Sequence, residues 1–270
     1  MHLQIRHETH YVYESPVSYS IQALKLTPRT EPGQRVLNWR VIAPGERLEQ
    51  VDPYGNVMHV VTMEQPHREL RIVVEGTAEI GDGIGPPDDE PASLSPLAFL
   101  APTNLTRPDT ALRDLAEYHL GRHPPSTASL MDLVMGIGKR VAYEPGTTDV
   151  THTAGEALEL GSGVCQDQAH VLVACCRAAG IPSRYVSGYF YAGDPGGVAS
   201  HAWADVWLGP EQGWVSLDVT HAERAGTRHC RLAVGRDYLD AAPVRGVRRG
   251  GGHETMAVAV KVSSGQAQQQ

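Results

Sequence analysis

No stretch of the 270-residue chain approaches the ~18 consecutive apolar residues that a membrane-crossing helix requires. Residues 1–10, Met-His-Leu-Gln-Ile-Arg-His-Glu-Thr-His, carry no apolar run behind a basic start, so no secretory signal is visible. Cysteine is scarce: there are four, with no C-x-x-C pair, which argues against a disulfide framework or a zinc ribbon. The 13 histidines include no H-E-x-x-H, and the acidic run Asp88-Asp89-Glu90 lacks the ligand spacing of a calcium loop. Positive charge is not in excess either; the net charge of −8 argues against a general nucleic-acid surface. The one basic cluster, 245–249, is short, flanked by glycines and read as a solvated loop. No internal repeat is found. These absences lead to the expectation of a protein with reduced thiols in the cytoplasm, with no membrane or nucleic-acid partner, no metal and no cofactor.

What is present is an ordinary soluble composition, 41% apolar and 20% charged, long enough for one large domain or two small ones. Residues 1–80 alternate with period two in several runs, 3–13, 21–26, 36–42, 57–63 and 70–80, broken by Pro and Gly turns. They predict an antiparallel sheet or small sandwich without a catalytic cluster. His7 and His10 fall on opposite faces of the first strand and cannot share a metal. The Pro/Gly/acidic segment 81–96 predicts a linker, giving an N-terminal β region over 1–85. The pattern then becomes helical over 109–120 and 126–141, and a capping box opens a short helix over 153–160. A strand over 229–234, a last edge strand over 256–262 and a disordered tail over 263–270 complete the reading, so a catalytic domain is expected over 86–262.

The chemistry concentrates around residues 161–180, where a glycine-rich turn runs straight into an apolar helical stripe of Ala169, Leu172, Val173 and Cys176. Cys165 is the first residue after that turn, at a helix N-terminus whose free N–H groups favour a thiolate and can hold an oxyanion. His201 opens an alternating strand over 200–207, and Asp218 ends a second one after a hairpin-type turn. Cys, His and Asp in that order fit the nucleophile, base and orienter of a catalytic triad. Gln166 and Asp167 are candidates to assist the oxyanion or to pack the helix start. Trp203 shares the strand face of His201 and could wall the cleft, while Trp207 and Trp214 read as core. His170 lies about 140° around the helix from Cys165 and reads as structural, as do Cys175, Cys176 and Cys230. Cys165, His201 and Asp218 could themselves ligate zinc, which leaves a zinc protein as an outside alternative.

Gly163-Val164-Cys165-Gln166-Asp167, Ala169-His170, the run from Gly180 to Tyr189, His201-Ala202-Trp203, Gly213-Trp214 and Asp218-Val219-Thr220 all recur in one family's order and spacing. With residues 234–238 and 243–246 they make the chain resemble the transglutaminase-like cysteine proteins, in the bacterial branch that has its own N-terminal region. The resemblance covers most of the chain. It implies an α+β, papain-like/transglutaminase-like core, with the cysteine helix packed on an antiparallel sheet carrying His and Asp. One departure is Val219, where the family usually has proline; it leaves the carboxylate in place and bears on the local turn. The expected function is cysteine-dependent acyl transfer at amide bonds of a peptide or protein substrate, through a thioester. Hydrolysis by a peptidase or amidase is favoured, because the resemblance implies that members outside animals are often predicted proteases. Transfer to an amine, as in a protein-glutamine transglutaminase, is the alternative; a non-enzymatic binding scaffold is the rival of another class.

Overall fold

The computed structural model describes residues 1–81, 94–121, 124–193 and 200–265. Most of the expected linker and the last five residues of the expected tail lie outside these residues. The chain opens with a 26-residue strand, β1 (His2–Thr27), along which Leu3, Ile5, His7, Thr9, Tyr11 and Tyr13 alternate inward. Period-two burial puts every second side chain on one face. The two runs predicted over 3–13 and 21–26 are therefore one strand. Its pairing shifts register between Val12 and Val17, a bulge that bends the strand without ending it. β2 (Gln34–Ile42), β3 (Glu46–Val51), β4 (Val57–Met63) and β5 (His67–Ile80) complete the order β2-β5-β1-β4-β3.

The helices follow. α1 (Thr110–Leu120) is capped by Asp109, whose carboxylate accepts the Leu112 N–H at 2.9 Å. α2 (Thr127–Arg140) precedes the two-residue strand β6 (Ala142–Tyr143), and α3 (Ala154–Leu160) carries the predicted Thr153/Glu156 capping box. β7 (Ser162–Gly163) then leads into α4 (Cys165–Ala178). Gly180, at φ +73°, supplies the left-handed residue that ends this helical segment. A second antiparallel sheet has the order β11-β10-β9-β8-β12. Its strands are β8 (Ser183–Phe190), β9 (Ser200–Trp207), β10 (Trp214–Asp218), β11 (Glu223–Arg224) and β12 (His229–Gly235). α4 is buried on nearly every side: Val171, Leu172 and Cys175 share one core with Leu112, Leu133 and Ile137 of α1 and α2 and with Ala204, Val206 and Leu217 of the sheet. Its buried polar residues are tied down as well, Gln168 to the Val141 carbonyl at 2.8 Å and Arg177 to the Phe99 and Ser183 carbonyls.

The C-terminal end corrects the expected boundaries. After α5 (Tyr238–Ala241), β13 (Val244–Gly250) and β14 (Glu254–Gly265) return to the first sheet, where both pair with β1. Residues 244–262, expected in the second domain, thus belong to the first sheet, and residues 263–265, expected in the tail, extend β14. The alternation that marks β14 carries no information about its partner, and the free edge of β1 lies more than 200 residues earlier in the chain.

The two sheets are locked together by buried polar contacts. Arg231 of β12 pairs with Asp205 of β9 at 2.5 Å and with Glu31 of the N-terminal region at 2.9 Å, all three nearly excluded from solvent. The Asn56 amide brackets Val234, donating to its carbonyl and accepting its N–H at 2.8 Å each. His7 meets the Tyr189 hydroxyl at 2.8 Å, and Tyr189, Cys230 and Leu232 enter the core of the first sheet. No helix among the described residues is long and apolar enough to cross a membrane.

Candidate active site

Cys165 is the first residue of α4, preceded by Val164 in an extended conformation (φ −111°, ψ −178°). Valine has no capping oxygen, so the helix start is closed from inside: Asp167 Oδ2 accepts the Val164 N–H at 2.8 Å and the Thr148 hydroxyl at 2.7 Å. Such a back-reaching carboxylate satisfies one otherwise orphaned donor and complements the helix dipole. Gly163 makes room for it, since a Cβ there would stand 2.6 Å from that oxygen. The turn is held from the other side by β6, which pairs parallel with β7, and by the Glu144 N–H on the Gly163 carbonyl at 2.7 Å. Cys165 is partly exposed and packs against the buried cluster of Ala169, Tyr185, Ala202, Ala233 and Ala241.

His201 stands on β9 opposite Gly188 of β8, and Asp218 ends β10, the next strand over. Their side chains meet at 2.7 Å, His201 Nε2 to Asp218 Oδ2. An ionised carboxylate only accepts, so Nε2 carries the proton and Nδ1 is the ring nitrogen left for the Cys165 thiol. Burial pulls the His201 imidazole down, but hydrogen bonds to Asp218 and Cys165 and the charges of both outweigh it, placing its pKa at about 9. Burial also opposes ionisation of Asp218. Hydrogen bonds from three imidazoles prevail and hold the carboxyl far below the usual range.

Two of those imidazoles were not anticipated. His221 Nδ1 lies 2.7 Å from Asp218 Oδ2, and His229 Nε2 lies 3.0 Å from the same oxygen. Phe190 roofs the group, stacked on His221 with ring centroids 3.9 Å apart and edge-on to His229 at 4.9 Å. The available signals were small: His221 follows Asp218 by three residues, and His229, like His201, opens a strand. Nothing in the strand pattern says that a side chain at the start of β12 reaches the end of β10, with β9 and β8 between the two strands.

The other candidates fall in different places. The Gln166 amide is nearly buried and lies 3.5 Å from the Val150 carbonyl. Asp167 uses Oδ2 to hold the helix start as an acceptor. Trp203 is wholly buried, with its ring beside His201 and His229 (centroids 6.1 and 5.2 Å), so it backs the histidines and presents no face to a cleft. His170 is buried as an acceptor of the Tyr238 N–H at 3.1 Å, and burial lowers its pKa to about 3. Burial pushes the Cys175 thiol up to about 12 and drives Cys176 and Cys230 upward as well.

Among the described residues, two sets of side chains bring metal-binding atoms within 4.8 Å of one another: His201, Asp218 and His221, and Asp218, Glu223 and His229. The second set fits a metal poorly. His229 Nδ1 accepts the Gly226 N–H at 3.1 Å, so Nε2 holds the proton and has no lone pair to give. In the first set both imidazoles stand at hydrogen-bond distance from one carboxylate oxygen, and hydrogen bonding accounts for the arrangement.

Comparison with known proteins agrees with this architecture. Residues 3–79 match the bacterial transglutaminase-like N-terminal region, and residues 113–219 match the transglutaminase-like superfamily. The chain is 31% identical to an uncharacterized protein of Mycobacterium leprae, with 97% of this chain and 98% of that one aligned. It is also 31% identical to an uncharacterized protein of Mycobacterium tuberculosis, over 90% of this chain and 86% of that one. A shorter stretch, 32% of this chain and 15% of the relative, is 39% identical to a protein-glutamine gamma-glutamyltransferase of Pseudomonas aeruginosa. Among solved structures, a candidate cysteine protease from Cytophaga hutchinsonii shares the fold, with a TM-score of 0.78 at 21% identity over 100% of this chain and 92% of that one.

Proposed function

Because the chain belongs to the transglutaminase-like superfamily, we propose that it is a cysteine-dependent acyl-transfer enzyme acting on amide bonds of a peptide or protein substrate. The single observation that carries this reading is the relay in which Asp218 takes His201 Nε2, leaving Nδ1 to Cys165 at the start of α4. In the first half-reaction His201 Nδ1 accepts the thiol proton and Cys165 Sγ attacks the carbonyl carbon of the amide. The oxyanion is met by the free N–H groups of the first turn of α4, with the backbone N–H of Cys165 as the nearest donor. The same Nδ1 then returns its proton to the departing amine or ammonia, and the C–N bond breaks to leave a thioester on Cys165. Asp218 keeps the imidazole in the tautomer and orientation that this exchange requires.

In the second half-reaction His201 takes a proton from the acceptor, which attacks the thioester and releases the thiol. Water as acceptor gives a peptidase or amidase, the reading favoured here. An amine would give a transglutaminase, and the 39% identical stretch shared with the Pseudomonas glutamyltransferase is the observation that favours it. The four free cysteines agree with a reducing compartment, and the cytoplasm is the proposed location. The test is intact mass spectrometry with glutamine-donor and peptide substrates, with and without added primary amine. A thioester-sized adduct on the wild type and none on Cys165→Ala supports the enzyme; products that incorporate the amine identify it as a transglutaminase. No adduct and no turnover over a broad substrate panel would favour the scaffold reading.

A further inference from the structure

We propose that His229 is a positioning residue for the Cys165–His201 pair: a fixed, uncharged donor that holds Asp218 Oδ2 in line with His201 Nε2. The orienting group of the site is then an Asp218–His229 unit, not a lone carboxylate. This rests on the reading of Cys165 and His201 as nucleophile and base.

Three side-chain donors converge on one oxygen. His201 and His221 stand 2.7 Å from Asp218 Oδ2 and His229 stands 3.0 Å away, while Oδ1 receives only the His221 backbone N–H at 3.3 Å. The three imidazoles differ in how firmly they are held. His221 sits in the turn after β10 with about a third of its side chain exposed. His229 is wholly excluded from solvent and both of its ring nitrogens are used, Nδ1 by the Gly226 N–H at 3.1 Å and Nε2 by Asp218. Trp203 and Phe190 wall the ring edge-on. Burial lowers its pKa, with the Asp218 contact only partly opposing.

The consequence is mechanical. His201 changes charge during the reaction, so its pull on Asp218 changes too. A carboxylate held only by His201 and by His221, which sits in an exposed turn, would shift as the charge on His201 changes. His229, with Nδ1 blocked by a backbone donor, keeps one tautomer and one hydrogen bond throughout. The other charged or titratable groups facing this cluster are Cys165 on α4, Glu223 on β11, Arg228 stacked over Phe190 at 4.7 Å, and Arg231 over Trp203. Glu223 and Arg228 are paired with each other at 2.7 Å.

The experiment uses the full chain. Nitrogen-15 histidine spectra of the wild type are expected to show His229 neutral with the proton on Nε2 from pH 5.5 to 8.5; an Nδ1–H tautomer or a titration in that range overturns the proposal. His229→Leu is expected to slow carbamidomethylation of Cys165 at pH 7 about tenfold, the loss of one hydrogen bond to a charged group. It should also shift the titration of His201. His229→Gln, whose amide can accept from Gly226 and donate to Asp218, is expected to restore the rate to within about threefold. A folded His229→Leu protein with the wild-type rate and wild-type His201 titration contradicts the proposal. If His229→Leu fails to fold, the wild-type spectra decide. Failure of the enzyme reading looks different: Cys165 reactivity would be indifferent to His201→Gln, whatever His229 does.

Discussion

His201 gives Nε2 to Asp218 at 2.7 Å and so reserves Nδ1 for Cys165, a choice of ring nitrogen set by two neighbouring strands. The direction of this hydrogen bond governs most of what the site is expected to do.

Asp218→Asn puts that direction at risk. An amide can turn its NH2 toward Nε2, which would move the ring proton to Nδ1 and disarm the base. Acyl transfer is expected to fall by about 10²-fold or more. Two further imidazole N–H groups lose their anion, so unfolding in urea should also show a loss of about 2–4 kcal/mol.

The pH dependence of stability has a definite sign. The folded-state pKa of His201 is about 9, above its ordinary 6.5. Its contribution is therefore fully present below pH ~6.5 and is lost as the pH rises through about 9. Comparing urea unfolding of the wild type and His201→Gln from pH 6 to 10 should show the difference between them shrinking across that window. Asp218, held far below the carboxylate range, contributes above pH ~4 and loses its contribution only in strong acid.

Gly163→Ala tests the turn that presents Cys165. The added methyl would stand 2.6 Å from Asp167 Oδ2, which is tied to the Val164 N–H, so either the carboxylate or the turn must shift. A loss of about 1–3 kcal/mol in thermal or urea unfolding is expected. Slower alkylation of Cys165 should accompany it in the protein that still folds.

Arg231→Met tests the junction between the two sheets. It would leave buried Asp205 with only Arg184 and Ser216, and Glu31 with only Arg29, at a cost of about 2–4 kcal/mol. Urea unfolding should show this loss while Cys165, on the other face of the second sheet, keeps its reactivity in the folded fraction.

The helices and the elements that carry Cys165, His201 and Asp218 were legible because their signals are local. Asp109, Ser126 and Thr153 cap helices at the residues the sequence marks, and the glycine turn before Cys165 announces itself within a few residues. What was not legible depends on long-range pairing. The return of β13 and β14 to β1 joins residues more than 200 apart, and alternation is the same whichever strand is the partner. His229 reaches Asp218 although β9 and β8 lie between β12 and β10 in the sheet, a contact that no spacing rule encodes. Trp203 shares the strand parity of His201, yet its larger ring is enclosed behind the histidines, since parity fixes a face and not a depth.

The most direct measurement is brief iodoacetamide treatment at pH 7 of the wild type, Cys165→Ala and His201→Gln, read by intact mass and peptide mapping. The account predicts one adduct, at Cys165, absent from Cys165→Ala and formed at least tenfold more slowly in His201→Gln. The buried thiols of Cys175, Cys176 and Cys230 should stay unlabelled. Equal labelling of Cys165 with and without His201 would contradict it.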